Sequence, residues 1–172
     1  MQVGTDNLQS VKQWLQRYGE AMRDSEALDA RSTSARARAT AAKVSRVDGM
    51  PHATGYAGDT LGVAVARIDE LEAEARASRD HARELYREID AAIKQISGPG
   101  WPDQRATLQM RYLDGCRWVE IAEMLFGGDP EVFDERQDSF LRRVHKIHGA
   151  ALGKLSNIVP LDVGQDNNTE ME

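Results

Sequence analysis

Two long stretches of the chain carry apolar or small residues at steps of three and four, which is typical of helices with one buried face. The first face extends from Leu8 to Ala42 and the second from Leu61 to Ile96. The segment 48–59 between them contains three glycines and one proline, which predicts a loop. We therefore expect residues 5–97 to form a long antiparallel coiled-coil hairpin.

The register of this hairpin follows from joining its two helices at the loop. Ala35 is then expected near Ala73, and Leu15 near Ile93. Small residues face one another at mid-hairpin, where they allow the two backbones to approach closely. Larger residues lie at the base of the hairpin, which is the end farthest from the loop.

Residues 102–155 show a different pattern of shorter helices. Pro102 or Asp103 is expected to begin the first one, because proline is well tolerated in the first helical turn. Gly115 is expected to end it in the left-handed conformation of a helix cap. Two more helices follow. The residues expected to face inward are Leu108, Tyr112 and Leu113 on the first helix, Val119, Ile121, Ala122 and Leu125 on the second, and Val144, Ile147, Ala151 and Leu155 on the third.

Two short helices that meet at a glycine and precede a basic helix are typical of a helix-turn-helix, whose last helix enters the DNA major groove. The fold class expected for the whole chain is therefore all-α, with a long antiparallel helical hairpin followed by a C-terminal helix-turn-helix unit of three helices. After Lys154 the periodicity is lost. The segment 156–172, with four acidic residues, is expected to be a disordered tail.

Charge is distributed unevenly along the chain. The net charge is −6, but the segment from Arg136 to Lys154 carries five lysine or arginine residues against one acidic residue. Such a local cationic surface favours DNA binding, because steering depends on local potential. The residues expected to contact DNA are Arg136, Gln137, Ser139, Arg142, Arg143, His145 and Lys146, with His148 as a further reserve of positive charge.

Different roles are expected within this set. Arginine suits bidentate contact with guanine, and Lys146 suits contact with phosphate. We place Arg142 and Arg143 in the N-terminal half of the last helix, which usually reaches the base edges. Tyr112 and Trp118 are expected to pack in the core and not to stack on bases.

The run RYLDGCRWVEIAEML, followed by RRVHKIHGAAL, resembles the C-terminal part of phage and prophage late-transcription regulators of the ArpU and RinA kind. The upstream run GMPHATGYAGDTLGVAVARIDEL is similar to the glycine-rich loop and long helix of the same family. The resemblance covers roughly residues 30–155. It implies a helix-turn-helix like region four of bacterial sigma factors, and transcriptional control by DNA binding without a catalytic site.

The chain departs from this family in the segment 127–139. The regulators pass from the second to the third helix in a tight turn, whereas this chain has a longer connection. We expect the segment either to hold an extra helical turn around Val132 and Phe133 or to extend the last helix back to Asp134. Either outcome shifts the residues that face DNA.

Other kinds of site are not indicated by the sequence. Cys116 is the single cysteine, which excludes an intramolecular disulfide and a cysteine zinc site. The adjacent Arg117 could lower its pKa, but no histidine–acid pair accompanies it. His145 and His148 lack a third metal ligand. We expect no enzymatic activity, no metal and no cofactor.

Partners and location follow from the same features. The N-terminus lacks the apolar core of a signal peptide, and no stretch is long and apolar enough to span a bilayer. We expect a cytoplasmic protein in a bacterial host cell. The expected partners are double-stranded DNA and further copies of the chain, joined through the hairpin. RNA polymerase is an additional candidate.

Two alternative functions stay open. A small terminase subunit would recognise packaging DNA through the same helix-turn-helix. A coiled-coil adaptor would bind only protein, and the negative net charge supports it mildly. Salt-dependent affinity for DNA separates the adaptor from both DNA-binding functions.

Overall fold

A computed structural model describes residues 3–44 and 60–159 of the chain, and every regular element in these ranges is helical. The predicted loop 48–59 and residues 160–172 of the predicted tail lie outside the described residues. The helices are α1 (Val3–Val44), α2 (Thr60–Ile93), α3 (Trp101–Leu108), a π-helical turn (Gln109–Leu113), α4 (Trp118–Phe126) and α5 (Pro130–Leu155). The predicted all-α class, with a hairpin-like pair followed by a C-terminal unit, is confirmed.

Residues 20–84 form one compact unit, which we call the hairpin unit. Its seam is lined mostly by small buried residues, namely Ala21, Ser25, Ser32, Leu71, Ala75 and Ala82. Two ion pairs cross the seam. Arg79 donates to both carboxylate oxygens of Asp29 at 2.5 and 2.7 Å, and Arg36 pairs with Glu72. These pairs agree with the predicted register, in which Ala35 lies near Ala73.

Residues 1–19 together with 85–172 form the second compact unit, which we call the C-terminal unit. Its larger core cluster joins the start of α1, the end of α2, α3, the π-helical turn and α5. The buried members are Val11, Trp14, Leu15, Ile89, Ala92, Ile93, Ile96, Leu108, Leu113, Ala151, Leu152 and Leu155. The base of the predicted hairpin thus shares one core with the three-helix unit that follows it.

The end of α2 differs from the prediction, which extended this helix to Ile96. The helix ends at Ile93, and the next residues tighten into a turn in which Ile96 N–H donates to the Ile93 carbonyl at 3.1 Å. Gly98 has a φ of +81°, a left-handed conformation that ends the helical path. Lys154 Nζ then donates to the carbonyls of Ser97 and Pro99 at 2.7 and 2.9 Å, which fixes this connection against the end of α5.

The next helix begins at Trp101 and carries Pro102 in its first turn, close to the predicted start. It passes into a π-helical turn, where Asp114 N–H reaches the Gln109 carbonyl at 3.0 Å. Gly115 follows with a φ of +73°, so the predicted left-handed glycine is confirmed. In the part of the chain that the structure describes, no helix combines the length and apolarity that crossing a membrane requires.

Candidate nucleic-acid interface

The connection between α4 and α5 is a turn of only three residues, Gly127–Asp129. Asp129 caps α5 by accepting a hydrogen bond from Glu131 N–H at 3.0 Å, and Pro130 occupies the first helical turn. Val132 and Phe133 therefore belong to the first turn of α5 itself. The prediction of a separate helical turn was wrong. The last helix extends backwards, as the other alternative predicted, but it begins at Pro130, four residues before Asp134. The connection between α4 and α5 is therefore a tight turn, shorter than the sequence predicted.

A second core cluster holds the π-helical turn, α4 and α5 together. Its fully enclosed members are Ile121, Ala122, Phe133 and Val144, with Met110, Cys116, Trp118, Leu125, Phe126, Phe140 and Leu141 packed around them. Phe140 stacks on both Phe126 and Phe133, with ring centroids 5.5 and 5.6 Å apart. These contacts fix the side of α5 that faces the unit, and thereby the side left outside.

One predicted core residue of α4 was wrong. Val119 is 39% exposed, because it lies two positions before the buried Ile121, about 200° around the helix. Trp118 packs inward instead, with its ring 4.7 Å from His145 and 4.9 Å from His148. The predicted packing roles of Trp118 and Tyr112 agree with these contacts.

The outer side of α5 carries most of the predicted DNA-contacting residues. Arg142 and Lys146 lie two positions before and after the buried Val144, so both point away from the core. Ser139, Arg136 and Arg143 are also exposed. We call Arg136, Ser139, Arg142, Arg143 and Lys146 the basic face.

The cations of the basic face lie on a helix that also carries Asp134, Glu135 and Asp138, but they form no ion pair with these carboxylates. None of its three arginines, nor Lys146, forms an ion pair with another residue within 3–44 or 60–159. The Arg143 guanidinium lies 4.4 Å from the centre of the Phe126 ring, a contact that orients the group and leaves its charge uncompensated. Four positive groups are thus available to an anionic partner.

Two predicted residues do not share this face. Gln137 lies four residues after Phe133 and seven before Val144, so it sits half-buried on the inner side of α5. His145 is exposed but rests against the Trp118 ring at the flank of the helix. The structure therefore brings together five of the seven predicted residues.

The position of the basic face along α5 also differs from the prediction. Because α5 begins at Pro130 and has 26 residues, Arg142 and Arg143 lie on either side of its midpoint and not near its first turns. The N-terminal turns carry Glu131, Asp134, Glu135 and Asp138 instead. The first turns of α5 are therefore acidic, and its cations begin at Arg136.

Among the described residues, His148 is the titratable group near this surface whose pKa is strongly shifted. It is only 8% exposed, and its Nε2 lies 3.0 Å from Tyr112 Oη. Burial, together with the nearby cations of Lys12, His145 and Arg111, lowers the pKa of His148 to about 4. It supplies no positive charge near neutral pH, so the predicted reserve of charge at this residue was wrong.

Cys116 is partly buried, and burial raises the pKa of its thiol, with Asp114 and Glu120 adding to the effect. The predicted lowering by Arg117 was wrong, because the Arg117 side chain turns to Glu120 at 2.7 Å. Glu120 also accepts from the Arg117 backbone N–H at 2.6 Å and thereby caps α4. No group of three or more potential metal ligands occurs among the described residues.

Comparison of the chain with protein-family models, curated proteins and solved structures gives no match.

Proposed function

We propose that this chain binds double-stranded DNA through the basic face of α5 and regulates transcription of phage or prophage genes, without enzymatic activity. The observation that carries the proposal is a set of four exposed cations with no ion pair inside the described chain, on a helix reached by a three-residue turn from α4. A helix-turn-helix presents its recognition helix in this way.

The middle of α5 is the part that would contact the duplex. Arg142 and Lys146 point outward on successive turns, and Arg136 and Arg143 lie on the flank towards Phe126. Arginines at this spacing can reach guanine edges or phosphates, whereas the acidic first turns keep the start of the helix away from the duplex. The role in phage gene control rests on the resemblance of the RYLDGCRWVEIAEML and RRVHKIHGAAL runs to late-transcription regulators.

The test is binding of the full chain to DNA from upstream of its own operon, measured by fluorescence anisotropy at two salt concentrations. Arg142→Ala with Arg143→Ala should weaken specific binding by about 1–3 kcal/mol for each base that an arginine no longer reaches. Affinity should fall with salt, with a slope of about −0.9 per phosphate neutralised.

The matched control replaces two exposed arginines of α2, Arg67→Ala with Arg83→Ala, which changes the net charge equally. It should leave affinity close to that of the unmodified chain, because these residues lie in the hairpin unit. If the Arg142→Ala, Arg143→Ala variant binds DNA as tightly as the unmodified chain, α5 is not part of the DNA interface.

A protein-only adaptor is the second candidate, and the carboxylates on the first turns of α5 favour it. Such an adaptor shows no DNA affinity that depends on salt, so the same titration decides between the two functions.

A further inference from the structure

Three cations of the basic face stand on a part of α5 that carries no carboxylate. Arg142, Arg143 and Lys146 are exposed, and the next acidic residue after Asp138 along the chain is Asp162. In the part of the chain that the structure describes, none of the three forms an ion pair. We call these three residues the cationic patch.

The acidic neighbours of the patch limit where an anionic ligand can lie. Arg136 does not belong to the patch, because Glu135 and Asp138 lie beside it on the first turns of α5. On α4, Glu123 is exposed one turn before the Phe126 ring that Arg143 contacts, and it forms no ion pair with that arginine. An anionic ligand is therefore favoured on the patch and on the turns of α5 that follow it.

The turns of α5 after the patch are free of large side chains on the same side. Gly149 and Gly153 follow Lys146 at steps of three and four, so they continue its side of the helix. A Cβ atom added at either glycine would meet no atom within 4 Å outside the helix's own turns. Ala150, beside them, is exposed. A polypeptide segment can therefore lie directly against α5 between its end and the patch.

The chain that follows α5 supplies a segment of opposite charge. Residues 160–172, which we call the acidic segment, contain no lysine, arginine or histidine and four carboxylates, Asp162, Asp166, Glu170 and Glu172. The residues just before it are fixed to α5. The N–H groups of Ile158 and Val159 donate to the Leu155 carbonyl at 2.9 and 3.0 Å, and both side chains pack on the larger core cluster. The acidic segment is thus tethered to the end of α5.

We propose that the acidic segment docks on the cationic patch of the same chain, and that DNA must displace it before it can contact α5. The competition with DNA rests on the proposed function, whereas the docking does not. An acidic segment and a phosphate backbone need the same cations. Single ion pairs on a surface are weak, but a short tether holds the ligand at an effective concentration on the order of millimolar.

The lengths of the helix and of the acidic segment agree with this docking. Lys146 lies nine residues before Leu155, which is about 14 Å along the helix axis, and Arg142 lies about 20 Å from it. An extended chain spans at most about 3.3–3.6 Å per residue, so the seven residues from Val159 to Asp166 can cover about 23 Å. Asp166 can therefore reach Lys146, and Glu170 can reach the two arginines.

Other cations of the C-terminal unit are less suited to the acidic segment. Carboxylates, carbonyls or aromatic rings already engage five of them, Lys94, Arg105, Arg111, Arg117 and Lys154.

Three further cations lie on α1 and α2 and form no ion pair among the described residues, namely Lys12, Arg17 and Arg87. Arg17 and Arg87 each have a carboxylate three positions away on their own helix, at Glu20 and Glu84. Three cations within five residues, without a carboxylate on the same turns, occur at the patch.

Docking is measured without DNA, by paramagnetic relaxation in the full chain. The chain with Cys116→Ser and Asn168→Cys carries one nitroxide label, in the acidic segment. Amide signals of residues 139–146 should broaden at about 0.1 M salt and recover at about 1 M, where the Debye length is about 3 Å. Arg142→Ala with Arg143→Ala should lose most of the broadening. The matched control, Arg17→Ala with Arg87→Ala, removes two other exposed arginines of the same unit and should keep it.

Competition is measured by DNA affinity after the carboxylates of the acidic segment are replaced by amides. The variant Asp162→Asn, Asp166→Asn, Glu170→Gln, Glu172→Gln should bind DNA at least about fivefold more tightly at about 0.1 M salt, which is the effect of one or two surface ion pairs. It should also lose the broadening.

A matched variant makes the same charge change at exposed carboxylates of the hairpin unit, with the substitutions Asp24→Asn, Asp69→Asn, Glu74→Gln and Glu84→Gln. It should change DNA affinity by less than about twofold, because charges more than about 10 Å from the duplex are screened at this salt concentration. Circular dichroism verifies that every variant keeps its helical content.

Several results would overturn the docking. They are sharp signals at residues 139–146, broadening that survives loss of the two α5 arginines, and broadening of α1 in place of α5. Broadening that arises only between a labelled and an unlabelled chain would also overturn it, since the acidic segment would then dock on a second copy. Equal gains of DNA affinity in the two amide variants would overturn the competition. If no variant binds DNA but the broadening is observed, the proposed function fails and the docking stands.

Discussion

The hairpin unit and the C-terminal unit are both helical, but different side chains hold them together. The hairpin seam is built mainly from alanine and serine with two cross-seam ion pairs. The junction of α4 and α5 in the C-terminal unit is built from isoleucine, valine and stacked phenylalanine rings. Large side chains that interlock fix the orientation of a helix, whereas small ones fix mainly its distance from a neighbour. The junction can therefore fix the orientation of α5, whereas the hairpin seam lets α1 and α2 approach each other closely.

The strongest test of this difference is to remove side-chain volume from the junction. Ile121→Ala should destabilise the chain by about 2–5 kcal/mol, because it leaves a cavity among Ala122, Phe133 and Val144. Urea unfolding followed by circular dichroism measures the change. The control Val119→Ala removes volume from the same helix at an exposed position and should change stability by less than about 0.5 kcal/mol. Equal effects would mean that the junction is loosely packed.

Acid should weaken the C-terminal unit. The pKa of His148 is about 4 in the folded chain against 6.5 for an ordinary histidine, so the unfolded chain binds more protons between these values. The contribution of neutral His148 is complete above pH 6.5 and is lost as the pH falls towards 4, up to about 3 kcal/mol. Hydrogen exchange across this range should show larger losses of protection in residues 101–155 than in the hairpin unit.

His148→Gln removes this titration and should flatten the pH dependence, whereas the exposed His81→Gln should not. The groups that face His148 are Lys12 from α1, Arg111 and Tyr112 from the π-helical turn, Trp118 from α4, and His145 from α5. If the pH profile of His148→Gln matches that of the unmodified chain, His148 does not stay neutral in the fold.

The hairpin seam should be sensitive to added side-chain volume, whereas the junction should be sensitive to its removal. Ala75→Leu inserts a large side chain into the narrow hairpin seam and should cost about 1–3 kcal/mol. Ala73→Leu, at an exposed position two residues earlier, is the control and should have little effect. A stability gain at residue 75 would show that the seam has unfilled space.

The smallest expected effect concerns the start of α5. Asp129→Ala removes the cap that accepts from Glu131 N–H and should cost about 1 kcal/mol. Asp138→Ala, an exposed carboxylate further along the same helix, is the control. Thermal unfolding compares them, and an equal shift for the two variants would mean that capping by Asp129 contributes nothing.

Much of the architecture could be predicted because it depends on local patterns. Steps of three and four gave the long helices, the register followed from the hairpin connection, and Gly115 ended the first short helix as expected. The start of α5 was missed, because the GGDP run was interpreted as part of a long connection. Asp129 followed by Pro130 is a helix-start signal that could have placed it.

The sequence predicted which residues belong to the candidate site better than it predicted where they lie on α5. Arg142, Arg143 and Lys146 are exposed as expected, but Gln137 lies on the inner side of α5 and His145 packs on Trp118. These placements depend on which side of α5 meets α4, and residues distant in sequence decide that side. The pKa directions of His148 and Cys116 were missed for the same reason, since burial sets both.

The amino-acid pattern by itself determined that the chain is helical, where most helices begin and end, and which segment is rich in cations. Those properties depend on neighbours within a few positions, so the chain carries them locally. Only the tertiary structure decided which cations remain unpaired and which histidine stays neutral. These outcomes depend on desolvation and on contacts between residues far apart in the chain, which arise only when the helices pack.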